Sequence, residues 1–364
     1  MTIADFEKAG LYDPAAPNAA ERLEMLEWLA GRGVSLETMR FALARGQLAF
    51  AASIRQLRPD PTVTLPRMAE RLGVTTDLIE RFRVAFGIPP VPEGEPWCTE
   101  EEMELFGAVT SGVMLFGEAG MLRLARVVGA SANRVAEAMV SANHERMRGF
   151  LGDASSELEI AKTYFAASET ASAPARIFAG LLGIHVQVAG IRSRERRASV
   201  GAETLHACVG FVDLVGSTSL SRRLTATELA AVVDRFEEVA HAVAIDREGR
   251  IVKFIGDEVM FVTGTADAAC DIALALVEAF AGDPAVTPRG GIAEGELIDR
   301  GGDYYGPVVN LAARLAELAV PREVLVSSEV ASHLSGAKFR REPAGRRLLR
   351  GFDEAVSLAS VTRA

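Results

Sequence analysis

Three short stretches of this chain combine residue types that handle phosphates and divalent cations. Residues 211–218 read Phe-Val-Asp-Leu-Val-Gly-Ser-Thr, an apolar run at strand spacing that ends in the carboxylate of Asp213 and a loop of Gly216, Ser217 and Thr218. A glycine there lets the backbone approach a ligand closely, and the amides beside it can face phosphate oxygens. Residues 250–262 are two apolar runs joined at Gly256-Asp257. Glycine at the first central position suits a type II′ hairpin turn, which puts a second carboxylate, Asp257, at the tip. Two aspartates brought from separate loops supply the hard oxygen ligands that Mg²⁺ or Mn²⁺ prefers, with phosphates and water completing the octahedron. In the third stretch, 303–314, Gly306-Pro307 marks a turn with proline at the first helical position. Asn310 and Arg314 then fall four apart on one helix face, while Val308, Leu311, Leu315 and Leu318 fall mainly on the other. Each stretch alone has a plainer reading: the aspartates as turn formers, the amide and guanidinium as a solvated helix face.

The elements that must position these groups follow the same part of the chain. Thr225 and Glu228 form a capping box, followed at helix spacing by Leu229, Val232, Val233, Phe236 and Val243. A second helix is predicted over roughly 267–280, a glycine-bearing strand pair over 289–298, the helix opened by Pro307, and a further strand over 323–327. The order βαββαβ, with additions, is a ferredoxin-like α+β layer. No Gly-Lys-Ser or Gly-Lys-Thr phosphate loop occurs, which excludes the P-loop route to nucleotide binding.

Together the three stretches resemble the catalytic domain of class III nucleotidyl cyclases, specifically the adenylyl cyclases, over about 205–363. The resemblance rests on Phe211-Val-Asp213-Leu-Val-Gly-Ser-Thr218, on Lys253-Phe-Ile-Gly-Asp257-Glu258 and on Asp303-Tyr-Tyr-Gly-Pro-Val-Val-Asn310-Leu-Ala-Ala-Arg314, in the family's order and internal spacing. It implies that Asp213 and Asp257, with the Leu214 carbonyl, bind two Mg²⁺ or Mn²⁺ ions. It also implies that Lys253 and Asp303 select adenine, and that Asn310 and Arg314 steady the ribose and the reacting phosphate of ATP. The family further implies head-to-tail homodimers with sites at the interface. Adenine has an acceptor at N1 and a donor at its 6-amino group, which Lys253 and Asp303 complement; guanine presents the opposite pair.

The first half has a different pattern. Residues 20–89 read as several short helices, among them a helix, glycine turn and second helix at 64–86 with the outline of a helix-turn-helix. Four prolines within 89–96 mark a break, and Thr99 with Glu102 caps a further helical run to about residue 147, where Met114, Met121, Met139 and Met147 read as core or interface filler. An apolar segment followed by Arg192, Arg194, Arg196 and Arg197 reads as a connection. The expected organisation is an all-α regulatory domain at 1–190, a linker at 191–203 and the catalytic domain at 204–364. A link between the first half and actinobacterial soluble cyclases is a less specific resemblance than that of the catalytic motifs. The regulatory signal expected from residue types is protonation, with His144 and His185 in this half, or a lipid on the methionine-rich helices.

Composition narrows the function classes. The 364 residues carry a net charge of −10, and 49% are apolar against 24% charged, which fits soluble globular domains and sets the long-range field against nucleic acid and anionic membranes. Cys98, Cys208 and Cys270 have no metal spacing and read as reduced, buried thiols. The first residues lack a basic segment and apolar core, and the apolar run 177–191 is short of the roughly 20 residues that span a bilayer, so a cytoplasmic location is expected, with peripheral lipid contact left open. Two rival functions stand beside the cyclase: a DNA-binding regulator using 64–86, disfavoured by its mixed charge, and a nucleotide sensor that keeps the fold without turnover.

Overall fold

A computed structural model of the chain resolves two units, Met1–Ala189 and Gly190–Ala364. It describes all residues except 93, 151–154, 170–171, 198–203, 216–223 and 284–285, together with the side chains of 144–150, 172, 195–197 and 204. Gly216, Ser217 and Thr218 therefore lie outside the described residues.

In the second unit, β1 (Thr204–Val215) is apolar on both faces because both are covered. Cys208, Val212 and Leu214 join Phe236, Ala240 and Ala244 of α1 (Ala226–Asp246) and most of the buried face of α2 (Ala266–Ala279) in one core. Ala207, Val209 and Phe211 join Ala312 and Ala316 of α3 (Pro307–Leu318) in another. The Thr225–Glu228 capping box at the start of α1 is formed as the sequence predicts.

Three strands pack around β1. The hairpin β2 (Arg250–Ile255) and β3 (Glu258–Thr263) lies on one side, antiparallel, with Cys208 opposite Thr263 and Asp213 opposite Glu258. On the other side runs β4 (Thr287–Arg300), a single 14-residue strand rather than the predicted pair, antiparallel to β1 along its whole length. Its glycines had suggested an interruption, but Gly290 and Gly291 leave room for neighbouring elements instead. The order β2-β3-β1-β4, all antiparallel, is the ferredoxin-like βαββαβ core. The sheet then continues through β6 (Val324–Ser327), which is parallel to β4, and the antiparallel β8 (Ala355–Arg363) and β7 (Phe339–Leu348). The short β5 (Asp303–Tyr305) pairs with the end of β4 and leads into α3. β2 forms one outer edge and β7 the other.

Helix α3 lies against β4 at backbone contact. A methyl group on Gly291 would sit 2.1 Å from the Ala316 nitrogen and 2.4 Å from the Ala312 oxygen. The face α3 buries is thus built of Ala312, Leu315 and Ala316, while the predicted contributor Leu318 is exposed.

The first unit is helical, as expected, with one addition: Val63–Thr64 pairs antiparallel with Pro96–Cys98. The proline-rich segment therefore returns to the structure, and Trp97 and Cys98 pack with Val63, Met68, Ile79 and Met103. A second core joins Met25, Leu26, Leu29 and Met39 to Ala161 of the helix Glu157–Glu169. Of the predicted filler methionines, Met121 is buried, but Met114 is 92% exposed, beside exposed Leu115 and Phe116. The apolar run 177–191 belongs to a longer helix, Ser172–Arg197, which enters the predicted linker, whose residues 198–203 lie outside the described ones, and carries exposed Ile177, Leu182, Ile184 and Val186. Among the described residues one candidate, within Glu157–Arg194, is long and apolar enough to cross a membrane by length and composition only. All three cysteines are buried and unpaired; burial first pushes the Cys98 thiol up to about 11 and Cys208 to about 12.

Substituting Gly291→Ala forces α3 off the sheet. Overpacking of this kind costs about 1–3 kcal/mol or more, and the expected result is a thermal midpoint lower by at least about 3 °C, read by calorimetry; an unchanged midpoint would show that the helix can shift freely.

Candidate active site

Strand register builds the first part of the site. Asp213, at the end of β1, has Glu258 of β3 opposite it on one side and Arg289 of β4 on the other. All three belong to the sheet face that α3 packs on, since they continue the alternation of Phe211, Met260 and Gly291. Arg289 donates from Nε (3.2 Å) and Nη2 (3.0 Å) to Asp213 Oδ2, and from Nη1 to the carbonyls of Glu317 (2.6 Å) and Ala319 (3.1 Å) at the end of α3. Between β2 and β3, Gly256 has φ 65° and Asp257 does not have a positive φ, the signs of the predicted type II′ turn, so Asp257 sits at the hairpin tip.

These groups are electrostatically crowded. Burial raises the Asp213 carboxyl, and Asp257 raises it further, against the opposing hydrogen bond from Arg289. Burial pushes Glu258 up to about 7, with Asp213, Glu317 and Asp257 adding to it. Asp257 Oδ2 is buried with no hydrogen-bond partner. A buried carboxylate oxygen left unpaired is costly unless a cation meets it. The Leu214 carbonyl fits the same purpose. Gly290 N–H bonds outward to Glu323, so Arg289 faces β1, and by alternation Leu214 faces the side where β3 has already ended. Two carboxylates, one of them with an orphaned oxygen, and a strand-end carbonyl are a donor set suited to hard divalent cations. Among the described residues no group of three or more His, Cys, Asp or Glu side chains is arranged to hold a metal by itself, so substrate oxygens or water would have to complete the coordination.

The second part is a pair. Lys253 Nζ lies 2.5 Å from Asp303 Oδ2, and Asp303 Oδ1 accepts from the Tyr304 N–H at 2.8 Å. The two residues that the sequence assigned to one base, fifty positions apart, are thus brought into direct contact. Asn310 and Arg314 form the third part on α3: Asn310 is exposed, and Arg314 donates to Glu317 at 2.5 Å. Among the described residues neither one hydrogen-bonds to Asp213, Asp257, Lys253 or Asp303.

Arg289 and Glu317 are site residues that sequence reasoning missed. Arg289 was visible only as the first residue of a predicted strand; its role depends on the register of β4, which no local pattern specifies.

The rival helix-turn-helix exists as geometry, with helices Leu65–Leu72 and Thr76–Phe86 joined through Gly73. Its arginines are already engaged: Arg67 and Arg71 with Glu100, Arg81 with Asp77 and Glu118, and buried Arg83 with Glu80 and the Ile88 carbonyl. That leaves no free basic face of the kind that reads phosphates.

Comparison with known families agrees with both halves. Residues 5–187 match an adenylate cyclase regulatory domain, and residues 202–358 match the adenylate and guanylate cyclase catalytic domain. The chain belongs to the class III adenylate cyclases. A Streptomyces coelicolor adenylate cyclase is 32% identical over 273 residues, covering 73% of this chain and 70% of that protein. A pH-sensitive adenylate cyclase of Mycobacterium tuberculosis is 28% identical over 365 residues, covering 94% and 88%. An uncharacterised protein of the same species is 29% identical over 357 residues, covering 96% and 91%.

In this adenylate cyclase fold the orphaned carboxylate of Asp257 is a cost to the metal-free protein. With metal removed by EDTA, Asp257→Asn should leave the thermal midpoint unchanged or raise it by about 2–4 °C; a comparable drop would show that the carboxylate serves a structural contact.

Proposed function

We propose that the protein converts ATP to 3′,5′-cyclic AMP and pyrophosphate, and that Asp213 and Asp257, with the Leu214 carbonyl, hold two Mg²⁺ or Mn²⁺ ions. The observation that carries this reading is the buried, unpartnered Asp257 oxygen beside a second carboxylate whose burial disfavours its charge. When bound, such ions neutralise phosphate charge and acidify the attacking 3′-hydroxyl. The chain's own residues do the rest. Lys253 donates to adenine N1 and Asp303 accepts from the 6-amino group; their mutual contact holds both side chains ready until the base arrives. Arg314 offsets charge that develops on the transferring phosphoryl group, and Asn310 orients the ribose. Gly216, Ser217 and Thr218 are the proposed phosphate loop. The 3′-oxygen forms the new bond to the α-phosphorus as the bond to the pyrophosphate oxygen breaks.

Among the described residues Asn310 and Arg314 make no hydrogen bond to Asp213 or Asp257, which fits a site completed by a second copy of the chain, where one protomer supplies Asp213 and Asp257 and its partner supplies Lys253, Asp303, Asn310 and Arg314. Exposed Ile255, Ile298 and Tyr305 in the same unit give such a partner apolar surface to cover. We further assign residues 1–190 as an autoregulatory domain, responsive to pH or lipid, on the match to a regulatory family and the pH-sensitive relative. A cytoplasmic enzyme with peripheral lipid contact through its exposed apolar helix fits this reading.

Purified full-length protein with ATP and Mn²⁺ or Mg²⁺ should form cyclic AMP, and Asp213→Ala or Asp257→Ala should lower the rate at least about a hundredfold while the protein stays folded. Either variant retaining most activity would remove the two-metal assignment. Mixed Asp257→Ala and Asn310→Ala chains, each inactive alone, should regain partial activity as their subunits exchange. If exchange is demonstrated by mixed-mass analysis and no product appears, the shared-site arrangement is wrong.

A further inference from the structure

We propose that Arg289 is a positioning residue for metal binding: it fixes Asp213 so that one carboxylate oxygen is held by the protein and the other is presented to the cation. The inference rests on the reading of Asp213 as a metal ligand. Both Nε and Nη2 of Arg289 converge on Oδ2 of Asp213, at 3.2 and 3.0 Å, and leave Oδ1 without a bond from Arg289, while the Leu214 N–H also bonds this carboxyl. The guanidinium is itself fixed. Its remaining arm donates to the Glu317 and Ala319 carbonyls, acceptors at the end of α3 that the helix cannot satisfy internally. Its backbone is held by the β1–β4 ladder, directly opposite Asp213.

Charge points the same way. Asp257 acts on Asp213, while Asp213, Glu317 and Asp257 act on Glu258, and Arg289 is the cation that recurs among the groups acting on Asp213 and Glu258. An arginine suits this place because its planar fork serves the carboxylate and the helix end at once; a lysine has one point charge and cannot do both. Partners of metal-bound carboxylates that orient the ligand in this way commonly change metal affinity by about 10–100-fold when removed.

The same guanidinium ties the Asp213 strand to the end of the helix that carries Asn310 and Arg314. Loss of Arg289 therefore loosens both, and the metal dependence is the part that a merely structural role would not move.

The test uses the full-length chain and Mn²⁺ alone. Apparent affinity is read from the Mn²⁺-dependent rise in thermal midpoint, with the Mn²⁺ KM and kcat measured on ATP alongside. Arg289→Gln should weaken Mn²⁺ binding by about 10–100-fold and raise the Mn²⁺ KM more than it lowers kcat at saturating Mn²⁺. Arg289→Lys, which keeps the charge and guards against a variant that fails to fold, should weaken binding by a smaller factor of at least about threefold. Wild-type or tighter Mn²⁺ binding in the Lys variant, and in the Gln variant where it folds, would overturn the proposal while Asp213→Ala still loses the ion. Wild-type binding in Asp213→Ala would instead remove the ligand assignment itself, and the positioning role with it.

Discussion

Everything in the catalytic unit depends on holding carboxylates half out of water at the end of β1. Asp257 opposes the charge of Asp213, both oppose that of Glu258, burial disfavours the charges of Asp213 and Glu258, and the cluster persists because the surrounding sheet fixes the backbone on three strands at once. Such a cluster is unfavourable in the resting protein. It suits the binding of cations, whose charge would add to that of Arg289, the cation folding places beside Asp213. The close seating of α3 on β4 serves the same end, since it sets the height of Asn310 and Arg314 above the sheet through contacts of glycine and alanine rather than through adjustable side chains.

How much of this the sequence disclosed follows from the range of the interactions involved. The hairpin with Asp257 at its tip, the capping box of α1 and the proline-opened helix α3 are local features, and each formed where the residues placed it. The pairing of Lys253 with Asp303 was accessible only through family resemblance, because nothing within fifty residues of chain links them. Arg289 was not accessible at all: its meaning comes from facing Asp213 across the ladder, and a slip of one residue would turn it to the opposite sheet face. Reading 289–298 as two strands failed for a related reason. Glycines that look like interruptions in one dimension are clearances for a helix and a neighbouring strand in three.

In the helical unit the misjudged features are apolar residues without a partner inside the unit. The methionines of this half read as core or interface filler; Met121 is buried, while Met114 faces outward beside Leu115, as do Ile177, Leu182 and Val186 on the helix Ser172–Arg197. Helical periodicity reports that a face is apolar; it does not report what covers it. The arginines of 64–86 show the converse. Charge that looked available in the sequence is neutralised by Glu100 and Glu118 of later helices and by Glu80 within the segment, so the helix-turn-helix outline remains as packing geometry.

The place of β2 at the outer edge of the sheet gives Lys253 a second duty. Its neighbours Ile251, Val252, Phe254 and Ile255 make an apolar strand with an open row of backbone donors and acceptors, the kind of edge that recruits strands from other chains. A single ammonium in the middle of that strand is a gatekeeper against such pairing. Under the function proposed above, base choice and protection of the edge therefore rest on one side chain. Re-engineering the enzyme toward another nucleotide with an uncharged residue at 253 would expose a self-associating edge even where the new pocket is sound, whereas a carboxylate there keeps the edge protected.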